Sequence, residues 1–399
     1  MPATAPARIT DVDALRGFAL LGILVVNSCA FGSVYYGTGL VDPAFTAPQD
    51  TAVRFLVTFL FEAKFYLLFS FLFGYSVTLQ MRSAEQADEQ LMPRMLRRQL
   101  GLWVIGLAHA VLLFHGDILT TYAVLGLALL GLRRRPEPRL LTLAGRLIIV
   151  TAAAWGLVGL LQLLNGEGLD TAAALATVRG AELDYRGSVA TVISRNLRQL
   201  PETAVVIVLA QAPCALAMFL IGFVAGRRRL LERDQNRRPL ETRLLRLGAT
   251  VGLPGALFCA GTATFLVGSG WEVLGLAVGL ASAPFLTGAY VAALLRIFQT
   301  RGGTKIAAVL APAGRMALTN YLLQSLACAV LFTAYGFRLV GQVPPWAVAA
   351  ITVALFSTQI ALSAAWLRHF AYGPVEWLLR ALTVGAWPTW RRRQPSVAV

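Results

Sequence analysis

The segment ITDVDALRGFALLGILVVN (9–27) sets an acid, a base and an amide on one apolar run: Asp13, Arg16 and Asn27. On a helix of 3.6 residues per turn the three fall within about 60° of one another, so they form one polar stripe. Asp13 and Arg16 stand at i and i+3, close enough to pair. They read either as a capping acid beside a topology-setting arginine or as the start of a ligand path. Asn27 is either a hydrogen-bonding group between membrane helices or a donor in a site. GLAHAVLLFHGDIL (106–119) adds His109, whose imidazole titrates near neutral pH and suits a general base. It also adds Asp117, which can cap the next helix, orient a histidine or bind an acceptor at the outer mouth. His115 reads as interfacial.

Three further motifs carry polar groups in apolar surroundings. In FEAKFYLLFSFLFGYS (61–76), Glu62 and Lys64 project about 200° apart on a helix, so each needs another partner or water. Lys64 also reads as a snorkelling anchor. GRMALTNYLLQS (314–325) puts Arg315 with Thr319, and Asn320 with Gln324, at i,i+4 spacing: a polar lining or helix–helix bonds. YGPVEWLLRALTVGAWPTWRRR (372–393) has Pro374 for a helix start, Glu376 and Arg380 at pairing distance, and three tryptophans, the marks of an interfacial helix.

The elements that hold these groups are membrane helices. Of 399 residues 57% are hydrophobic and only 14% charged, against about 25% in soluble domains, and mean hydropathy is +0.66. Apolar blocks of spanning length recur along the chain. They predict an all-α polytopic membrane bundle with about ten transmembrane helices, near 17–36, 64–81, 99–115, 118–132, 146–164, 203–225, 248–268, 272–295, 316–335 and 345–367. The stretch 51–61 reads as an outer interfacial or re-entrant helix. With the N-terminus inside, 28 of the 35 lysines and arginines fall on the inner side, a strong positive-inside bias. Both ends are then cytoplasmic, in a multi-pass protein of the cell membrane. The same bias accounts for the net charge of +15, so no nucleic-acid partner is expected. The chain reads as one integral-membrane domain, 1–399, with the motifs in 8–132 and 306–385. An outer loop with a short helix is expected at 165–202. The first span reads as a signal-anchor, and no internal repeat is visible.

Cys29, Cys214, Cys259 and Cys328 are singletons in apolar blocks, without the spacing of a zinc site or disulfide framework. Only His109, His115 and His369 are histidines, so no metal is expected. Helical rise gives depth. Asn27 and His109 each lie eleven residues beyond a boundary arginine (Arg16, Arg98), about 16 Å in. Glu62 and Lys64 lie about 27–30 Å from Arg82, which predicts the outer surface.

In order, RITDVDALRGFALLGILVVN, KFYLLFSFLFGYS, HAVLLFHGDILTTYAVLGL, GRMALTNYLLQS and GPVEWLLRALT resemble the YeiB-like family of bacterial membrane proteins, over most of the chain. The opening segment also resembles two kinds of integral-membrane acyltransferase. The acyltransferase-3 type has DxLRG followed ten residues later by a histidine, where this chain has Asn27. The heparan-α-glucosaminide N-acetyltransferase type has an asparagine there, and it acetylates an amino sugar across the membrane from cytosolic acetyl-CoA. Its histidine follows soon after the first span; here residues 28–108 hold none, and His109 is the substitute.

This resemblance implies transfer of an acyl group from a cytosolic acyl-CoA, acetyl-CoA among them, to a small-molecule or glycan acceptor on the outer side. His109 would be the base, Asn27 the oxyanion donor, and Asp117 the group that orients or binds the acceptor. Asp13, Arg16, Glu62, Lys64, Arg315, Asn320 and Gln324 would contact substrate. The competing expectation is a transporter or lipid-handling protein with the stripe lining a pathway; a plainer one is a scaffold in the bilayer. No feature of the sequence sets an oligomeric state.

Overall fold

The computed structural model describes residues 10–86, 90–166, 168–232 and 237–392, so Arg8 of the opening motif lies outside the described residues. The chain runs α1 (Thr10–Gly32), α2 (Pro48–Leu60), α3 (Lys64–Gln86), α4 (Leu91–Leu112), α5 (Leu119–Leu132) and α6 (Glu137–Asn165). Then come α7 (Thr171–Gly187), α8 (Val189–Val206), α9 (Ala212–Arg227), α10 (Arg238–Leu247), α11 (Leu253–Phe265) and α12 (Gly270–Phe298). The last four are α13 (Arg301–Arg315), α14 (Ala317–Phe332), α15 (Pro345–His369) and α16 (Pro374–Val384). It is a multi-pass helical membrane bundle, with α1 and α12 central and α6 turning Ile149, Val150, Leu157 and Leu161 outward.

Among the described residues, seven helices are long and apolar enough to cross a membrane. An eighth is added if α13 and α14, bent by 77°, count as one span. The two remaining expected spans, 99–115 and 118–132, are α4 and α5. The first turns of α4 carry Arg94, Arg97 and Arg98, and α5 has only 14 residues. That α5 length rises about 21 Å, short of a hydrocarbon core of about 30 Å. The α4–α5 turn is therefore sunk into the bundle. α7 and α8 cover it: the Tyr185 hydroxyl lies 3.4 Å from His115 Nδ1, and Asn196 donates to the Val111 carbonyl at 3.2 Å. Tyr335, after α14, donates to the Leu112 carbonyl. The loop expected at 165–202 is thus two helices. Asp170 caps the first, and a Ser188–Thr191 capping box opens the second.

Prolines shape the spans. Pro213 has no N–H for the Leu209 carbonyl, and the chain relaxes into a π-helical turn, Ile207–Gln211. Trp155 Nε1 donates to that carbonyl at 3.3 Å instead. Pro254 follows a second π turn, Gly248–Gly252, in the same way. Two glycines set a close contact between α3 and α9. A Cβ on Gly74 of α3 would stand 2.8 Å from Phe219 Cα, and one on Gly222 of α9 2.8 Å from the carbonyl carbon of Phe71. Backbones approach this closely in membranes only through small residues.

Candidate functional site

A cavity of about 580 Å³ opens among α1, α2, α3, α11, α12 and the sunken α4–α5 turn. Most of its wall is apolar. Asn27, Tyr36, Glu62, Lys64, Tyr122 and Tyr321 are polar groups on it. A mainly apolar chamber with a few placed polar groups is the usual form of a small-molecule site.

Its floor is the break between α2 and α3. Ala63 takes a φ of 65°, the left-handed region that costs an L-residue about 1–2 kcal/mol. The break exposes Glu62, whose carboxylate accepts the Tyr36 hydroxyl. Lys64 is 2% exposed and donates to the Thr58 carbonyl at 2.7 Å. Thr287 donates to the Lys64 carbonyl at 3.0 Å, and Tyr290 to that of Leu60 at 2.9 Å. Thr287 lies well inside α12, roughly 25 Å along from Gly270. Glu62 and Lys64 therefore sit deeper than their expected place at the outer surface, because α2 stands beyond them and continues the line of α3. Both share the chamber with Asn27. At the rim, Asp42 accepts the Ala44 N–H at 3.0 Å, and burial pushes its carboxyl up. Arg54 there donates to the Phe45 carbonyl at 2.8 Å. Burial, then the neighbouring Glu62, raises the Tyr36 phenol well above its usual value.

Behind this wall lies a buried pair. His109 Nδ1 is 2.9 Å from Asp117 Oδ1, with side chains 0% and 1% exposed. The other oxygen, Oδ2, accepts the Thr120 N–H at 2.7 Å. Asp117 thus caps α5 and orients the histidine at once, two roles the sequence offered as alternatives. Gly106 makes room: a Cβ there would meet Asp117 Oδ2 at 2.8 Å and Thr120 N at 2.6 Å. A carboxylate oxygen accepts, so this bond takes the imidazole proton on Nδ1, and in the neutral ring Nε2 is the acceptor nitrogen. Among the described residues Nε2 has no hydrogen-bond partner. Asn27 lines the chamber and His109 does not; Tyr321 stands between, its ring centroid 4.9 Å from the imidazole.

Residues 225–386 match the family model "Protein of unknown function (DUF418)". The chain is 30% identical to "Uncharacterized protein YxaH" of Bacillus subtilis (strain 168), over 97% of this chain and 96% of the relative. It is also 30% identical to "Uncharacterized protein YeiB" of Escherichia coli (strain K12), over 95% and 97%. The chain belongs to the YeiB-like family. A further similar protein is "Uncharacterized 39.9 kDa protein in amylase 3'region" of Bacillus acidopullulyticus, 28% identical over 96% of this chain and 95% of its own.

The other expected substrate contacts of this YeiB-like chain do not line the chamber. Arg16 pairs with Asp13 at 2.7 Å and donates to Ser76 at 2.6 Å, tying α1 to α3 at the opposite end of the bundle from the chamber. Arg98 faces Arg16, Arg94 and Glu376 there. Arg315 ends α13 at the bend. Asn320 donates to Ser363 at 2.9 Å and to the Ala313 carbonyl at 3.1 Å. Gln324 donates to Gln359 at 2.9 Å, and Gln359 to the Asn320 carbonyl at 3.1 Å. That ladder holds α14 to α15, the helix–helix alternative. Thr319 does not turn to Arg315; Glu376 takes its hydroxyl. Tyr36 and Tyr321 went unmarked in the sequence, since a tyrosine in an apolar stretch reads as packing. The only signal for Tyr321 was its place between Asn320 and Gln324.

Proposed function

We propose that this protein is a transmembrane acyltransferase. It takes an acyl group from a cytosolic acyl-CoA and passes it to a hydroxyl or amine acceptor, a small molecule or glycan, that enters the chamber from the outer side. One observation carries the reading: a buried imidazole held by a carboxylate on Nδ1, with Nε2 unpartnered among the described residues. A base oriented by an acid is the arrangement that activates a nucleophile. Nε2 takes the acceptor's proton as its lone pair attacks the thioester carbonyl; the C–S bond then breaks and CoA leaves as the thiolate. Asn27 Nδ2 supplies a donor for the oxyanion. The arginines around Arg16, Arg94 and Arg98, with Arg133–Arg135, suit the phosphates of CoA. The basic bias supports both ends at the cytoplasmic face of a bacterial inner membrane.

The test is release of CoA from radiolabelled acetyl-CoA and longer acyl-CoAs by protein in lipid nanodiscs, with membrane extracts as acceptor. Acceptor-dependent release that His109→Ala removes supports the reading; no release from any acyl-CoA ends it. A second reading, a transporter or lipid-handling protein, draws on Asn27, Glu62 and Lys64 lining the chamber while His109 does not. It predicts ligand uptake or binding without CoA release.

A further inference from the structure

Tyr321 has one flank on the His109 imidazole and the other on the chamber. The two rings are tilted by 44° with centroids 4.9 Å apart, and Tyr321 also contributes to the cavity wall. It is 4% exposed, and its phenol end lies against the backbone of Ile118, the residue after Asp117. A buried polar atom without a partner is costly, and among the described residues the Nε2 of His109 has none.

The groups around Tyr321 are fixed by several bonds each, whereas Tyr321 itself is held by ring packing and by the hydrogen bond of its phenol with the Ile118 backbone. Asn320 and Gln324 pin α14 to α15, so the helix backbone holds its place. Phe114, on the turn that carries Asp117, stacks on Phe31 of α1 at 4.6 Å. Asp117 is anchored by the Thr120 N–H. Packed interiors resist motion, whereas a ring beside a cavity of about 580 Å³ can turn into it without displacing packed neighbours.

We propose that Tyr321 is the movable partition between the chamber and His109, a positioning residue that seals the imidazole when in place and opens Nε2 to the acceptor when it swings into the chamber. The proposal rests on the reading of His109 as the base. Sealing keeps water from the base until an acceptor has entered, so acyl groups pass to the acceptor and not to water.

The experiment follows carbethoxylation of His109 by diethyl pyrocarbonate, mapped by mass spectrometry on purified protein, with His369 as internal reference. In the wild type the open form is a minor state, so His109 reacts slowly. Tyr321→Ala raises its rate about tenfold or more, as expected when a minor state of up to 10% becomes the rule. Tyr321→Trp, which grows into the chamber, lowers the rate below wild type. Equal His109 rates in wild type and Tyr321→Ala overturn the proposal, and should the alanine variant not fold, an unchanged rate in Tyr321→Trp does so. Transfer assays add a second readout: Tyr321→Ala raises acyl-CoA hydrolysis relative to transfer. If the wild type releases no CoA, the acyltransferase reading fails while the labelling rates still decide the partition.

Discussion

Glu376 of α16 closes the N-terminus of α14 through Thr319. One carboxylate oxygen accepts the backbone N–H groups of Leu318 at 2.7 Å and Thr319 at 3.0 Å, and the other accepts the Thr319 hydroxyl. The hydroxyl in turn accepts the Val375 N–H at 3.1 Å. The 77° bend between α13 and α14 leaves these N–H groups without helical partners, and a carboxylate from another helix satisfies them.

Glu376→Ala should therefore lower stability by about 1–3 kcal/mol, the cost of leaving buried donors unsatisfied. Glu376→Gln keeps an acceptor oxygen and should lose less. Thermal unfolding in detergent reads the difference. Equal midpoints for wild type and Glu376→Ala would show that water, and not Glu376, serves those donors.

His115 gives a pH dependence. It lies in the α4–α5 turn with Nδ1 3.4 Å from the Tyr185 hydroxyl, and burial pushes its pKa down from 6.5 to about 4, Arg195 adding to the shift and Asn196 opposing it. Between those values the unfolded chain binds a proton that the folded one refuses. The contribution of the neutral ring is thus present in full above pH 6.5 and lost as pH falls toward 4. Its limit is about 3 kcal/mol, reduced by the partial exposure of the ring. His115→Gln should flatten the fall in melting midpoint between pH 7 and pH 5. A wild type and variant that fall in parallel would remove His115 as the cause.

Periodicity and charge made the bundle legible, because an apolar block of spanning length has few alternatives in a chain this hydrophobic. The Asp13–Arg16 pair followed from spacing on one helix, and the same logic put Asn27 on the inward stripe. Spacing failed where helices meet end to end. Glu62 and Lys64 were measured along α3 alone, and 51–61 read as an outer interfacial or re-entrant helix, whereas α2 continues the line of α3 within one candidate span, Pro48–Gln86. Asn320 and Gln324 gave the right face of α14, yet the identity of its neighbour, Gln359 on α15, is a tertiary fact. The i,i+4 spacing of Glu376 and Arg380 suggested a local pair; Glu376 instead caps α14, and Arg380 lies over the Tyr372 ring at 5.2 Å.

Topology is open to direct measurement. Cysteines engineered at exposed positions of α7 and α8 within 170–195 should react with an impermeant maleimide added to intact cells. Those in 238–246 should react only after the cells are opened. The basis is the basic bias together with α7 and α8 covering the α4–α5 turn. The reverse labelling pattern would turn the molecule over and move the chamber to the cytoplasmic side.

The His109–Asp117 pair can be taken apart in two steps. His109→Ala removes the base and should cut transfer by about 10²–10⁴-fold with the fold intact, since the lost hydrogen bond leaves Asp117 still capping α5 through Thr120. Asp117→Asn separates capping from orientation. The amide oxygen can still accept the Thr120 N–H, but an amide no longer holds the proton on Nδ1 as a carboxylate does. Transfer should then fall while the melting midpoint stays near wild type. Asp117→Ala should lose both, with a cap penalty of about 0.5–2 kcal/mol. Asn27→Ala should lower turnover by about 10²–10³-fold if its amide meets the oxyanion. Transfer that survives His109→Ala within a few-fold would move the base to the chamber wall itself. Glu62 is then the next carboxylate to remove, since it lines the cavity and the donor it has among the described residues, Tyr36, sits in the loop after α1.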